Sequence, residues 1–382
     1  MTIEIRQHAP GADLKDFIRV QDIVFADDPN YVPPLRMELK DRLTPGKNPF
    51  WEHAEGALFT AWRDGELVGR ISAQIDHEHL RVHDDGAGFF GFFDTIDDQE
   101  VADALLERAR RWLVKRGMTA MRGPLSLYIW EEAGMLVDGF DTPPALAMGH
   151  HRDYQQNLAE GAGLAKKKDL WAWKYLVADP PKRAARAHAR MMELPEVRFR
   201  NVDKSRMREE LDIVLEIFND AWAHNWGFVP TTEAEVDKMA EDMKLIIDEQ
   251  LAYFVEVKGE PVAMVICLPN LYDMTYDMGG KLLPFGWAKL LWRLKVKGPK
   301  SARLMLLGIK NKMRGIKRYG GLSTAMYAEL AYRGRAAGYE WAELSWTLED
   351  NRPINLGIKA MRAKVYKTYR IYETPIGEGS SE

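Results

Sequence analysis

From Val197 to Glu373 the apolar residues switch repeatedly between the two-residue period of a strand and the 3.6-residue period of a helix. The order of those switches leaves few architectures open. The spacing predicts a strand over Val197–Val202, helices over Met207–His224 and Glu233–Asp248, and strands over Ala252–Val257, Pro261–Leu268 and Arg303–Ile309. A helix over Leu322–Ala337, a strand over Tyr339–Leu348, a helix over Pro353–Arg362 and a strand over Tyr369–Glu373 follow. Such an order is α/β (α+β), a mixed sheet covered by helices. The first half runs in the same order. It has a strand at Ile3–Gln7, a helix at Leu14–Phe25, and strands Leu58–Trp62 and Leu67–Ile75 around the hairpin dipeptide Asp64-Gly65. A helix over Val101–Lys115 stops at Gly117, then come a strand and loop over Ala120–Trp130 and an aromatic-rich strand over Asp169–Val177. Two tandem mixed-sheet domains are expected, 1–178 and 196–382. A basic, Ala-rich linker helix in 179–195 follows Asp179-Pro-Pro181.

Apolar residues make up 46% and charged residues 29% of the 382, enough to build a core for each half. The single cysteine, Cys267, excludes an intrachain disulfide and points to a reducing compartment; its apolar run predicts an inert core thiol. The first residues carry no secretory pattern, and no window holds eighteen apolar residues in a row. A cytoplasmic protein is expected. The net charge is −4, yet Lys281–Arg318 contains twelve Lys or Arg and no acid, which leaves −16 for the rest. A local basic patch on an acidic chain calls for an anionic partner.

That patch overlaps an apparent insertion, 270–300, between two expected strands. Within Pro284–Lys297, Trp287, Leu290, Leu291 and Leu294 fall at helical spacing on one face, with Lys289, Arg293 and Lys297 on another. Trp287, Leu291, Trp292 and Arg293 are the residues expected at an anionic membrane surface, peripheral on the inner face of the cytoplasmic membrane. The alternative is a helix packed on the protein's own core with solvated lysines. Base-stacking and groove-entry motifs are missing, so no nucleic-acid partner is expected. Asp76-His-Glu-His-Leu-Arg-Val-His83 and His150-His151 have ligand-type residues. They lack cysteine partners or a second cluster, and a polar exposed loop is expected at the first, so no metal is predicted.

Three local patterns in the second half carry a family resemblance. Arg318-Tyr-Gly-Gly-Leu-Ser323 lies between a strand and a helix. Glu343-Leu-Ser-Trp-Thr-Leu-Glu-Asp-Asn351 leads through a helix to Tyr366-Lys-Thr-Tyr-Arg-Ile-Tyr372, and strand alternation puts Glu343, Ser345, Thr347 and Glu349 on one face. Phe218-Asn-Asp-Ala-Trp-Ala-His-Asn-Trp-Gly-Phe228 joins the first two helices. Together these resemble the GNAT acyl-CoA N-acyltransferase superfamily. The resemblance implies acyl-CoA as co-substrate and an amine as acceptor. It implies pyrophosphate contacts at Arg318, Gly320, Gly321, Leu322 and Ser323, where glycine backbone and a helix N-terminus meet an anion. Backbone N–H groups near Leu307 and Ile309 would hold the oxyanion, and Trp222, His224, Asn225 and Trp226 would border the acceptor. Glu349 and Glu343 are the candidate bases, with His224 behind them, and Asn351 closes the motif. The family's leaving-group tyrosine would fall at Ile358, so Tyr366 and Tyr327 are the substitutes.

The first half has Asp94-Thr-Ile-Asp-Asp98 where a pyrophosphate would sit, and acids repel it. That half is expected to be a degenerate GNAT-like domain that shapes the acceptor site. The whole-chain pattern, with Asn48-Pro-Phe-Trp-Glu-His53, Gly69-Arg-Ile71 and Gly88-Phe-Phe-Gly-Phe-Phe93, is similar to a bacterial family of tandem GNAT proteins, to or near which the bacterial ceramide synthases belong. With the basic insertion, the resemblance implies long-chain transfer to a sphingoid-type amine. A cytosolic acetyltransferase of a small amine or peptide, and a non-catalytic CoA-binding protein, are the alternatives.

Overall fold

A computed structural model describes residues 2–377; residues 378–382, the end of the expected second domain, lie outside the described residues. The chain forms two compact units. Unit 1 comprises residues 1–170, 275–290 and 367–382, and unit 2 comprises 171–274 and 291–366.

Unit 1 is built from β1 (Ile3–His8), α1 (Lys15–Val24), α2 (Arg36–Arg42), β2 (Ala54–Arg63), β3 (Glu66–Asp76), α3 (His77–His83), β4 (Ala87–Thr95), α4 (Gln99–Val114), β5 (Ala120–Gly123), β6 (Met135–Asp138) and α5 (Gln155–Gly161). Strands β1 to β4 are antiparallel neighbours, and β5 runs parallel to β4. The β2–β3 hairpin turns where expected, with φ of +51° at Asp64 and +84° at Gly65. Helix α4 buries Val101, Leu105, Ala109 and Trp112, one stripe at three- and four-residue spacing, on sheet residues such as Phe59, Ile71 and Phe90.

Strand β7 (Ala165–Leu176) gives its first six residues to unit 1 and its last six to unit 2. Unit 2 continues with α6 (Lys182–Met192), β8 (Val197–Asn201), α7 (Met207–Trp222), α8 (Glu233–Ile246), β9 (Ala252–Val257) and β10 (Glu260–Pro269). The insertion holds α9 (Tyr272–Thr275) and α10 (Gly286–Trp292). Then come β11 (Ser301–Ile309), α11 (Leu322–Ala336), β12 (Trp341–Leu348), α12 (Arg352–Ala360) and β13 (Lys364–Pro375). In unit 2, β8 to β11 are antiparallel and β12 is parallel to β11. Both units thus follow strand, two helices, three antiparallel strands, a long helix and a parallel strand.

Three details differ from the sequence reading. Phe89–Phe93, to which the apolar pattern assigns no strand, lies inside the fully buried strand β4. A continuous apolar run hides the two-residue alternation that identifies a half-exposed strand. His77–His83 is a helix and not an exposed loop: Asp76 caps it by accepting from the Glu78 and His79 amides. The stretch expected as a linker packs as α6 into the unit 2 core, where Ala184 and Met191 lie with Ala325 and Ala328.

Candidate active site

Strands β11 and β12 pair from Ser301↔Trp341 to Leu304↔Leu344, and the pairing stops there. Beyond that point β11 stays with β10 as far as Ile309. The two parallel strands therefore part, and a cleft opens between them. Leu304, Met305 and Leu307 line one side; Leu344 to Leu348 line the other. Trp222 and Asn225 reach it from the end of α7, and Tyr327 and Ile358 from α11 and α12. Gly308 makes room for the wall. A Cβ there would lie 2.3 Å from the Trp222 ring, which is stacked on Phe218.

Helix α11 begins beside this opening without a capping side chain. Its N-cap is Gly321, at φ +96°, and no acid lies in its first turn. Gly320, Gly321 and Ser323 are exposed. The first-turn amides and the helix dipole are thus offered to solvent, an arrangement suited to an anion. Lys317 and Arg314 are exposed on the preceding loop; Arg314 donates to the Ala221 carbonyl at 3.2 Å. Arg318, expected on the pyrophosphate, is ion-paired with Glu196, and that guanidinium holds the Glu196 carboxyl down at about 2.

A polar network lies buried behind the cleft wall. Arg303 and Glu343 are cross-strand partners on β11 and β12, both almost wholly buried, with 3.8 Å between guanidinium and carboxylate. Ser345 accepts from Arg303 Nε at 2.9 Å and donates to Glu343 Oε1. Tyr366 donates its hydroxyl to the other oxygen, Glu343 Oε2. The carboxylate is compensated on three sides, as a buried charge must be. Of this group Ser345 lines the cleft, so Ser345 joins the open space to the buried acid.

No family model matches the chain. A bacterial ceramide synthase from Caulobacter vibrioides is 45% identical to it over 364 residues, spanning 95% of this chain and 94% of that protein. This chain belongs to the bacterial ceramide synthase family. The protein YghO of Escherichia coli is 38% identical over 366 residues, spanning 95% of this chain and 93% of YghO. Solved structures show the same fold: a tandem GNAT protein from the clavulanic acid biosynthesis pathway (TM-score 0.58, 13% identity, 98% of this chain and 99% of that one) and a GCN5-related N-acetyltransferase from Sphaerobacter thermophilus (TM-score 0.55, 12% identity, 98% and 96%). The tandem GNAT architecture expected from the sequence is the observed one, and an acyl-transferring enzyme is what the family relationship supports.

Within this ceramide synthase family member the expected site residues divide. Asn351, Leu307, Trp222 and Asn225 line the cleft. Glu343 and Tyr366 sit behind it, bonded to each other. Glu349 falls in the turn after β12, beyond the alternation that was to align it with Glu343. His224 is exposed and Trp226 half-buried, and neither lines the cleft. Ile309, which like Leu307 packs on the core, does not line the cleft. Leu322 is buried under the first turn of α11. Tyr327 does line the cleft, and burial pushes its hydroxyl above the ordinary tyrosine value, so it stays protonated. Arg303 and Ser345 were missed as a pair. The signal was an arginine inside the apolar strand Arg303–Ile309, a costly residue there unless an acid faces it.

In the insertion, α10 runs on into a π-helical turn, Arg293–Lys297. Leu283, Phe285, Trp287, Leu291, Trp292 and Val296 are all exposed, with Leu283 and Phe285 at 79%. Lys297 lies over the Trp292 ring, 5.6 Å from its centre. Arg293, expected at the same surface, is instead buried and donates to the Met274 carbonyl. Two of the histidines read as possible ligands are in structural pairs: His79 with Asp85 at 3.1 Å, and His150 with Asp28 at 2.9 Å. Among the described residues no group of three or more His, Cys, Asp or Glu is placed to hold a metal ion.

Proposed function

We propose that this chain is an acyl-CoA-dependent N-acyltransferase that moves a long-chain acyl group to a sphingoid-type amine, making a ceramide. The observation that carries the reading is the open splay between β11 and β12, beside an uncapped helix N-terminus, in a chain 45% identical to a bacterial ceramide synthase. The residues fit the co-substrate. The cleft is apolar along Leu304, Met305 and Leu307, and the exposed start of α11, with Lys317 and Arg314, suits a pyrophosphate.

The chemistry is assigned to unit 2. The amine must be neutral to attack, so its proton needs an acceptor. Ser345 stands at the cleft with its hydroxyl already bonded to Glu343, which makes that carboxylate the proton's destination. The C–N bond forms, the C–S bond breaks, and the thiolate takes a proton. Tyr327, held protonated by burial, is the hydroxyl that faces the cleft from α11. The Leu307 backbone N–H supports the developing oxyanion. The exposed apolar residues of the insertion, with Lys281 and Lys297 nearby in sequence, belong to the same reading. They dock the protein peripherally on an anionic bilayer of the inner membrane face, where a lipid amine is presented.

The test is the purified protein with palmitoyl-CoA and sphinganine in anionic liposomes, the product read by mass spectrometry. N-palmitoyl-sphinganine is expected, together with co-sedimentation of protein and liposomes. Transfer of acetyl groups alone, to soluble amines, would replace the lipid acceptor with a small one.

A further inference from the structure

A second, smaller cavity lies in unit 2 next to the cleft, and it shares two walls with it: Tyr327 and Leu344 line both. Its lining is apolar throughout apart from the hydroxyls of Tyr175, Tyr327 and Tyr339 and the Cys267 thiol, whose pKa burial pushes up. Protein cores are close-packed, so a void of this kind is an exception that needs a cause. The cause is the size of its side chains. Ala302 and Ala342 form the floor on β11 and β12, and Ala331 and Gly334 form the roof on α11. Gly334 is the most informative. It is buried, its backbone is helical, and a Cβ on it would meet nothing within 4 Å. Glycine weakens a helix relative to alanine, and the helix does not need it as a terminator, because Gly338, at φ +82°, serves there. Neither packing nor chain geometry asks for glycine at 334. Its effect is to leave the cavity empty, and empty apolar cavities stay dry and take apolar ligands.

We infer that this cavity receives the distal methylenes of the acyl chain, turned past Tyr327 from the cleft, and that Gly334 sets the chain length accepted. The inference rests on the acyl-CoA reading of the neighbouring cleft. The occupant is a saturated hydrocarbon tail and not a polar acceptor, since the walls offer few polar atoms and no charged side chain.

The test compares Kd values for octanoyl-CoA and palmitoyl-CoA, by calorimetry below their micelle concentrations, in the full chain and in Gly334→Leu and Gly334→Ala. Each buried methylene is worth about fourfold in affinity. A leucine that displaces about three of them lowers palmitoyl-CoA affinity by roughly 50-fold, with octanoyl-CoA unchanged. Gly334→Ala, which fits without strain, gives a loss of about threefold for palmitoyl-CoA alone and a raised Tm. Equal losses for both thioesters, or none for either, overturn the inference. Selective weakening of palmitoyl-CoA with no transfer to any amine upholds the cavity and removes the N-acyltransferase reading instead.

Discussion

The two units contain the same parallel-strand splay and treat it in opposite ways. In unit 1, β4 and β5 pair only from Ala87↔Ala120 to Phe89↔Arg122, as briefly as β11 and β12 do in unit 2. There the opening is closed by the chain itself. Leu125 N–H donates to the Phe90 carbonyl at 2.7 Å, Phe92 N–H donates to Ser126 Oγ at 3.3 Å, and Gln74 donates to the Leu125 carbonyl at 2.6 Å. Gly91 and Gly123 permit the approach: a Cβ would lie 2.0 Å from the Leu125 oxygen and 2.3 Å from the Phe90 oxygen. The helix that follows each splay shows the same contrast. Asp98 caps α4, accepts from the Val101 amide at 3.2 Å and is paired with Arg63 at 2.6 Å. Helix α11 starts at a bare glycine. One topology thus leaves a cleft where the splay is unfilled, and a closed core where backbone and carboxylate fill it.

Three experiments bear on that contrast. The largest effect is expected at Glu343. Replacing it by Gln removes the proposed proton acceptor while keeping the side-chain shape, and kcat should fall by about 1,000-fold with KM for acyl-CoA little changed. A variant that keeps its kcat would detach the chemistry from the open splay. Next is the closed splay. Gly91→Ala drives a methyl into the Leu125 carbonyl, and a loss of about 3 kcal/mol in urea-unfolding stability is expected. Full stability would show that the backbone closure has slack. The smallest effect is on pH. His151 is buried, and its ring accepts from the Leu136 amide at 3.1 Å. Burial holds its pKa down at about 3, and burial also lowers His79 and His150, all three in unit 1. Unfolded, the His151 ring takes up a proton near pH 6.5; folded, it resists down to about 3. Its stabilising effect is therefore complete above pH 6.5 and lost as the pH falls towards 3, which amounts to roughly 2 kcal/mol by pH 5. Hydrogen exchange between pH 7 and pH 5 should then show unit 1 opening before unit 2. The reverse order would place the acid-sensitive groups elsewhere.

Much of this was legible in the sequence, and the residues show why the rest was not. Helix α6 begins and ends where the apolar pattern says, because it exposes one face and so keeps its period. Strand β4 has no exposed face and no period to read. Asn351 and Trp222 were placed by the local motifs that contain them, and both reach the cleft. Glu349 was placed by extending a strand one step too far, past the turn that ends it. The Ser345–Glu343–Arg303 network depends on register between two strands some forty residues apart, which no local pattern encodes. The closure of unit 1 depends on what a glycine does not have, and in sequence Gly91 looks like any other glycine.

Strand β13 pairs with β5 from Tyr372↔Gly123 to Pro375↔Ala120, and with β6 at Tyr369↔Leu136; Tyr369, Tyr372 and Ile376 are fully buried in unit 1. A ribosome makes β5 early and β13 late. At ordinary rates of synthesis the gap between residue 170 and residue 376 is roughly 10–40 s. For that time the sheet edges of β5 and β6 lack the partner that covers them in the folded unit, and are available to chaperones or to neighbouring nascent chains.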